Sequence, residues 1–307
     1  MITVTPARAD QCSAALALIF ARHPAAEQSA CVRDMLESKR RGDICLDGLL
    51  LAEDDGHPIG AALYVLQPDN TAFVWPPVLT GRDDDSRVCD ELYAELRRLA
   101  DEADAWLSQC LVEVGDTADR EALNRNGFEH LADLSYLERP LSEPLPRRRG
   151  FRFTTTTFDT TSEARFTAVL ERTYIDTLDC PGLSGRRTAQ EAIISHQMAG
   201  VFNPLQWKLY QLDGCDVGLL LMNDHPEEQA CEVVYVGVVP EARGNDYGRE
   251  MLIDGIQNAH AAGHRALLLA VDRRNSFARN VYRDVGFREI GVRAVHVRAH
   301  PNRCSAR

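Results

Sequence analysis

Two rhythms of apolar residues run along this chain. Unbroken β-branched stretches such as EVVYVGVV over 232–239 predict strands buried on both faces. Leu252, Ile256 and Ala259 instead recur at the spacing of a helical stripe and predict a helix over 248–262. By the same reading, helices are expected over 165–174, 188–198 and 277–285. Strands are expected over 205–212, 217–222 and 266–271, the first two joined by a turn at Asp213-Gly214. Strands joined first by hairpins and then by helices imply an α/β fold, of the α+β kind built on a mixed sheet, and not a purely parallel one.

The pattern occurs twice. The first half closes on LNRNGFEHLADLSYLERP and the second on YRDVGFREIGVRAVHVRA, each reading helix, Gly-Phe, strand. Gly127 and Gly286 stand where a helix C-terminus takes a left-handed residue. The two Gly-Phe pairs lie about half the chain apart, the mark of a tandem duplication. Between the copies, ERPLSEPLPRRRG over 138–150 carries three prolines, which deny ladder hydrogen bonds and break helices. The expected division is a first domain over 1–140, a linker over 141–150 and a second domain over 151–307.

Composition narrows the class. At 307 residues and 45% hydrophobic content the chain suits two ordinary globular domains, and no run approaches the roughly 18 apolar residues of a membrane helix. The start, MITVTPARADQC, lacks the basic-then-apolar layout of a secretory signal. Nine scattered cysteines without a CxxC pair suggest reduced thiols in a cytoplasm. Residues 1–145 carry 13 basic against 27 acidic side chains, a balance of -14, while 146–307 carry 21 against 19, or +2. That acidic half argues against a nucleic-acid partner. It either attracts a cationic acceptor or serves solubility alone.

The candidate chemistry lies just after the strand over 232–239. Arg243-Gly244-Asn245-Asp246-Tyr247-Gly248 precedes a helical stripe, where backbone N–H groups and the helix dipole favour an anion such as a pyrophosphate. Further on, Asn275 is a suitable N-cap for a helix carrying Ala278 and Tyr282, and Gly286 closes it.

These segments resemble the GNAT superfamily of acetyltransferases. The loop matches its R/Q-x-x-G-x-G/A pattern at Arg243 and Gly248, with Asp246 in place of the first Gly. The later segment matches N-x-x-A-x-x-(L/V/I)-Y-x-x-x-G-F at Asn275, Ala278, Val281, Tyr282, Gly286 and Phe287. In layout the resemblance is to tandem two-domain members such as the mycothiol synthases. It implies two GNAT-like domains, each a mixed, mostly antiparallel sheet flanked by helices.

The resemblance also implies acetyl-CoA as co-substrate and residue roles. Tyr282 would protonate the departing thiolate. Val236, Gly237 and Val238 would offer backbone groups to the pantetheine arm and thioester, with the Val238 N–H as oxyanion donor. Glu232 would accept the amine proton, or is a surface charge at a strand end. A carboxylate at Asp246 opposes a pyrophosphate, though Asp tolerates left-handed backbone; whether it weakens or silences the site stays open. Arg273, Arg274 and Arg279 either meet a 3′-phosphate or are surface charges. The region 174–187 would shape the acceptor pocket, and His225 either faces it or is a solvated turn residue. Transfer would be direct, with no cysteine nucleophile, Cys180 included.

The first half looks degenerate. Leu123 stands where the second half has Tyr282, the strand at Thr71 runs into Pro76-Pro77, and Asp83-Asp84-Asp85 would repel an anion. No metal is expected: His260 and His264 are four apart, but Gly263 is placed to end their helix, and no third ligand is evident. The expected function is acetyl transfer from acetyl-CoA to a primary amine of a small molecule. The alternatives are acetylation of peptide or protein N-termini and a non-catalytic acyl-CoA sensor or scaffold. No nucleic acid or membrane partner is expected, and monomer and homodimer stay open.

Overall fold

A computed structural model describes residues 2–81, 85–148, 150, 153–183 and 187–301. Asp83 and Asp84, together with Cys304, lie outside the described residues. Each half of the chain repeats one order of elements. The first runs β1 (Ile2–Pro6), α1 (Cys12–Ile19), α2 (Ala25–Arg41), β2 (Gly48–Asp54), β3 (His57–Leu66), β4 (Thr71–Leu79), α3 (Asp85–Glu102), β5 (Leu107–Glu113), α4 (Thr117–Arg125) and β6 (Glu129–Pro140). The second runs β7 (Thr154–Thr157), α5 (Glu163–Thr173), α6 (Ala189–Met198), the two-residue β8 (Val201–Phe202), β9 (Lys208–Leu212), β10 (Cys215–His225), β11 (Ala230–Val238), α7 (Tyr247–Ala261), β12 (Ala266–Asp272), α8 (Ser276–Asp284) and β13 (Arg288–Ala299). Among the described residues no helix is long and apolar enough to cross a membrane.

The compact units do not follow the sequential halves. One comprises Met1–Leu131 with Ala294–Arg307, the other Ala132–Arg293. Long-range pairing explains the difference from a boundary drawn at the prolines. β6 pairs antiparallel with β12 from Leu134↔Asp272 to Pro140↔Ala266. At the far end of the chain, Ala294 is buried in the cluster holding Leu92 and Phe128, and Arg298 pairs with Asp101 at 2.7 Å.

In the first unit the strand path is β1-β2-β3-β4-β5-β13. The runs GLLLA and IGAALYV are apolar on both faces because helices cover both. Leu50, Ala52, Ala62 and Tyr64 join α3 in one cluster, while Leu49, Leu51, Ala61 and Leu63 join α1 in another. β4 does not stop at Pro76-Pro77 as expected. It continues to Leu79, because the proline pair sits in a register shift opposite Ala62, where no ladder bond is required.

In the second unit the path is β6-β12-β11-β10-β9-β7. Its core is one cluster around Phe166, Trp207, Tyr210, Leu219, Leu221 and Ile253, each at 0% exposure. The strand expected from 205 begins only at Lys208, because Pro204–Gln206 form a 3₁₀ turn capped by Asn203, whose Oδ1 accepts from Leu205 N at 3.1 Å. Thr188 caps α6 in a reciprocal capping box with Glu191.

The two Gly-Phe signals fold identically. The N–H of Phe128 donates to Leu123 O at 2.9 Å and that of Gly127 to Asn124 O at 3.1 Å. Phe287 and Gly286 donate to Tyr282 O and Arg283 O, both at 3.0 Å. Both are Schellman closures. Gly127 has φ +83 and Gly286 φ +99, a region in which a side chain is strained. The helices start alike too: Asp116 accepts from Asp119 N, and Asn275 from Ala278 N.

Candidate active site

Strand pairing builds the site. β11 runs parallel to β12 only from Ala230↔Ala266 to Glu232↔Leu268, after which the register ends. Against β10, Leu221 pairs with Tyr235 and Met222 with Val233, which leaves Val234 as an extra residue and makes a bulge. A bulge bends and twists its strand. The segment 233–238 therefore leaves β12 and keeps a backbone edge unpaired on that side, while β12 remains laddered to β6 along its length.

Beside this splay lies a cavity of about 580 Å³. Its lining gathers Val236, Gly237 and Val238 from β11, Arg243, Gly244, Asp246, Tyr247 and Gly248 from the following turn and helix start, and Asn275, Ala278 and Tyr282 from α8. Two of the expected residues do not line it. The Nδ2 of Asn245 donates to Ala242 O (3.1 Å) and Arg243 O (3.2 Å), so this side chain holds the turn. Glu232 lies at the closed end of the splay with its Oε2 2.8 Å from His225 Nε2. His225 is thus half-buried against Glu232 and is not a solvated turn residue.

The helix start leaves backbone donors without helical acceptors. α7 makes its first intrahelical bond from Glu250 N to Asp246 O at 3.1 Å. The N–H groups of Tyr247, Gly248 and Arg249 therefore have no acceptor within the helix, and the positive end of its dipole faces the same side. Asp246 is the residue before the helix, left-handed at φ 62 and exposed. Its backbone takes the conformation that the missing Gly would have supplied, and its charge is the departure that matters. Arg243 spends its guanidinium on carbonyls: Nη2 donates to Thr173 O (3.0 Å) and Ile175 O (2.7 Å), and Nε to Val238 O (3.1 Å). It staples the end of α5 to the end of β11.

Tyr282 is buried and meets Phe287 edge-on at 5.9 Å. Burial pushes its phenol above the usual range, with the Asp179 carboxylate adding to the effect. At neutral pH it carries its proton, as a general acid must. Gly237 is required by close approach: a Cβ there would come within 2.7 Å of Tyr235 Cε1 and 2.9 Å of Thr173 Oγ1.

Sequence reading had not singled out Asp176, Thr177, Leu178 and Asp179, although they fall within the expected acceptor region 174–187. All four line the cavity. Asp179 is the notable one. Its Oδ1 accepts from Asp272 N at 2.9 Å, which ties the loop to the far end of β12. Burial raises its carboxyl above the usual range against the pull of that N–H bond, with the charge of Asp272 adding to the rise. Burial also pushes the Cys180 thiol up to about 12, so it is protonated and no nucleophile at neutral pH. Arg274 is committed to the buried Asp272 at 2.6 Å, and Arg279 lies 3.6 Å from Glu289.

Comparison with known proteins finds likeness over the same residues. Residues 177–287 match the Acetyltransferase (GNAT) family, a span that contains most of this lining. The mycothiol acetyltransferase of Streptomyces griseus is 36% identical over 86 residues, 28% of either chain. That of Thermobispora bispora is 28% identical over 169 residues, 52% of this chain and 55% of the other. The chain thus matches less than two thirds of the length of these curated relatives. In fold the likeness is end to end. A GCN5-related N-acetyltransferase from Sphaerobacter thermophilus superposes with a TM-score of 0.67 at 16% identity, covering 97% of this chain and 95% of that one. A tandem GNAT protein from the clavulanic acid biosynthesis pathway gives 0.56, also at 16% identity, covering 98% and 99%.

Proposed function

We propose that this GNAT domain moves an acetyl group from acetyl-CoA directly to a primary amine of a small molecule. The observation that carries the reading is the single cavity joining three parts: the start of α7, the splayed edge of β11 and the phenol of Tyr282. These parts fit the co-substrate. The N–H groups of Tyr247, Gly248 and Arg249 suit a pyrophosphate, and the free edge of 233–238 suits the amides of an extended pantetheine arm.

Acetyl-CoA supplies an activated thioester. The amine nitrogen forms its bond to the acyl carbon as the carbon–sulfur bond breaks. In this reading the Val238 N–H stabilises the developing oxyanion, and Tyr282 gives its proton to the departing sulfur. The proton lost by the amine goes to a carboxylate. Glu232 takes it through water, oriented by His225, or Asp179 takes it directly. Asp179 is favoured by lining the cavity, Glu232 by its place on β11 at the start of the splay. Asp179 would also hold the amine as an ammonium before it reacts.

The relatives are named mycothiol acetyltransferases, and the amine form of mycothiol is accordingly one acceptor to test, alongside peptide N-termini. Asp246 supports a second reading, an acyl-CoA-binding sensor that no longer turns over. Thermal melts with acetyl-CoA and with CoA, followed by thiol release with a panel of amines, separate the two. Stabilisation and turnover support the transferase; stabilisation without turnover on any amine supports the sensor. No stabilisation at millimolar acetyl-CoA defeats both, since a ligand that binds only the native state must stabilise it. Glu232→Gln and Asp179→Asn assign the base: the variant that loses rate and the alkaline-rising limb of the pH profile carried it.

A further inference from the structure

Away from the cavity, three ligating side chains from three elements meet on one face of the sheet. Asp224 and Cys231 pair directly across β10 and β11, so their side chains leave the sheet on the same side. His264 reaches them from the end of α7. There Gly263 N donates to His260 O (3.0 Å) and His264 N to Ala259 O (3.1 Å), a turn that swings His264 away from the helix. Its Nε2 lies 3.0 Å from Asp224 Oδ1. One ligand atom from each of the three residues falls within 4.8 Å of the others.

The surroundings hold these atoms in place. Gln206 Nε2 donates to Asp224 Oδ1 at 2.6 Å, and its Oε1 accepts from Cys231 Sγ at 3.0 Å. Cys231 is buried, while the Asp224 and His264 side chains retain 21% and 16% exposure, which leaves an ion a way in. The helical spacing of His260 and His264 is thus a poor guide. The turn at Gly263 separates that pair, and the sheet supplies His264 with two other ligands from β10 and β11.

We infer that Asp224, Cys231 and His264 form a binding site for a divalent cation of the zinc class, with Gln206 Oε1 or water in the fourth position. A sulfur, an imidazole nitrogen and one carboxylate oxygen suit a borderline-soft ion and disfavour magnesium or calcium, which take oxygen shells. Bonds of roughly 2.0–2.3 Å in tetrahedral geometry place neighbouring ligand atoms roughly 3.3–3.8 Å apart. The present spacing needs only small side-chain movements to reach that. On binding, the Cys231 S–H proton leaves to solvent as the sulfur–metal bond forms. His264 gives up its Nε2 proton and holds one on Nδ1 instead, exchanged through solvent, so that the neutral imidazole coordinates through Nε2 and the His264–Asp224 hydrogen bond gives way to two coordination bonds. The ion would clamp the end of α7 to the closed end of the β11 splay, one residue from Glu232. The inference does not depend on the acetyl-transfer reading.

The test uses tag-free, full-length protein stripped with chelator and titrated with Co²⁺. One equivalent is expected to bring up a thiolate-to-cobalt charge-transfer band and the visible bands of a tetrahedral ion, both abolished by Zn²⁺. Cys231→Ser should remove the charge-transfer band, while Cys45→Ser, at an exposed cysteine, should leave it. His264→Asn and Asp224→Asn should each weaken cobalt binding at least about tenfold, the loss expected even of a residue that only supports a ligand. Melting curves of each variant check folding independently of the metal. Absence of the band in the parent protein overturns the inference. So does its persistence in Cys231→Ser, or indifference to His264→Asn and Asp224→Asn.

Discussion

At the scale of single residues, the site turns on one hydroxyl and one carboxylate. Tyr282 has two duties that substitution can separate. Its ring packs on Phe287 to close α8, and its hydroxyl is the proposed acid. Tyr282→Phe keeps the ring, so the melting temperature should hold while kcat falls about 10²–10⁴-fold with KM little changed. Steady-state kinetics beside a melting curve checks this, and a full rate in the variant would remove Tyr282 from the chemistry. Asp246 invites the opposite experiment. Its φ of 62 is a conformation that Gly adopts without strain, and its charge sits at the helix end proposed for the pyrophosphate. A like charge near 4 Å costs about 1 kcal/mol even in bulk water. Asp246→Gly should tighten acetyl-CoA about tenfold by calorimetry. An unchanged Kd would mean that this carboxylate points away from bound phosphates.

At the scale of elements, α8 shows how local signals place a functional group. Asn275 accepts from Ala278 N at its start, Gly286 reverses the chain at its end, and the nine helical residues Ser276–Asp284 between them bring Tyr282 to the cavity. Beneath it the buried Arg139 donates Nε to Val285 O at 2.7 Å, a cation at the negative end of the helix dipole. Removing the cap with Asn275→Ala should cost about 1 kcal/mol, or about 2–4 °C in Tm, and Asn275→Asp should restore it. These caps were legible in the sequence because each bonds within three to five residues. The bulge at Val234 was not. It is visible only against the register of β10, a partner whose pairing no local pattern specifies.

At the scale of the whole molecule, stability rests on buried cores and a few buried charges. Asp254 of α7 is buried at 5% exposure between Lys208 Nζ and the Tyr210 hydroxyl, both 2.8 Å away, and pairs with Arg148 as well. Burial opposes its ionisation, but the bond and ion pair with Lys208, the Tyr210 hydroxyl and Arg148 prevail, and its carboxyl titrates below the usual range. A depressed folded value means that stability present above the unfolded value is lost as pH falls through the folded one. Asp254→Asn should therefore destabilise the protein at neutral pH, by about 1.5–3 kcal/mol, the range for hydrogen bonds to a charged group, because Lys208 and Arg148 keep 17% and 28% exposure and can turn to water. It should also flatten the loss of stability in acid. Urea midpoints measured from neutral pH down to acid decide both; a variant with the parental acid slope would show that other carboxyls control it.

The sequence by itself determined what local chemistry can determine. Most strand and helix identities, the repeated Schellman closures, the Gly-bearing turn before α7 and the tyrosine on α8 follow from residues a few positions apart, because hydrogen bonds and apolar stripes of that range are set by the chain's own geometry. Only the tertiary structure decided which distant residues meet. It put Asp179 into the cavity by a bond to Asp272, and it turned His225 onto Glu232. It grouped Asp224, Cys231 and His264, and it assigned the described residues from Ala294 onward to the compact unit of the first half. Strand register and the splay of β11 from β12 fix these encounters. They depend on the summed packing of both sheet faces, which no short stretch of sequence encodes.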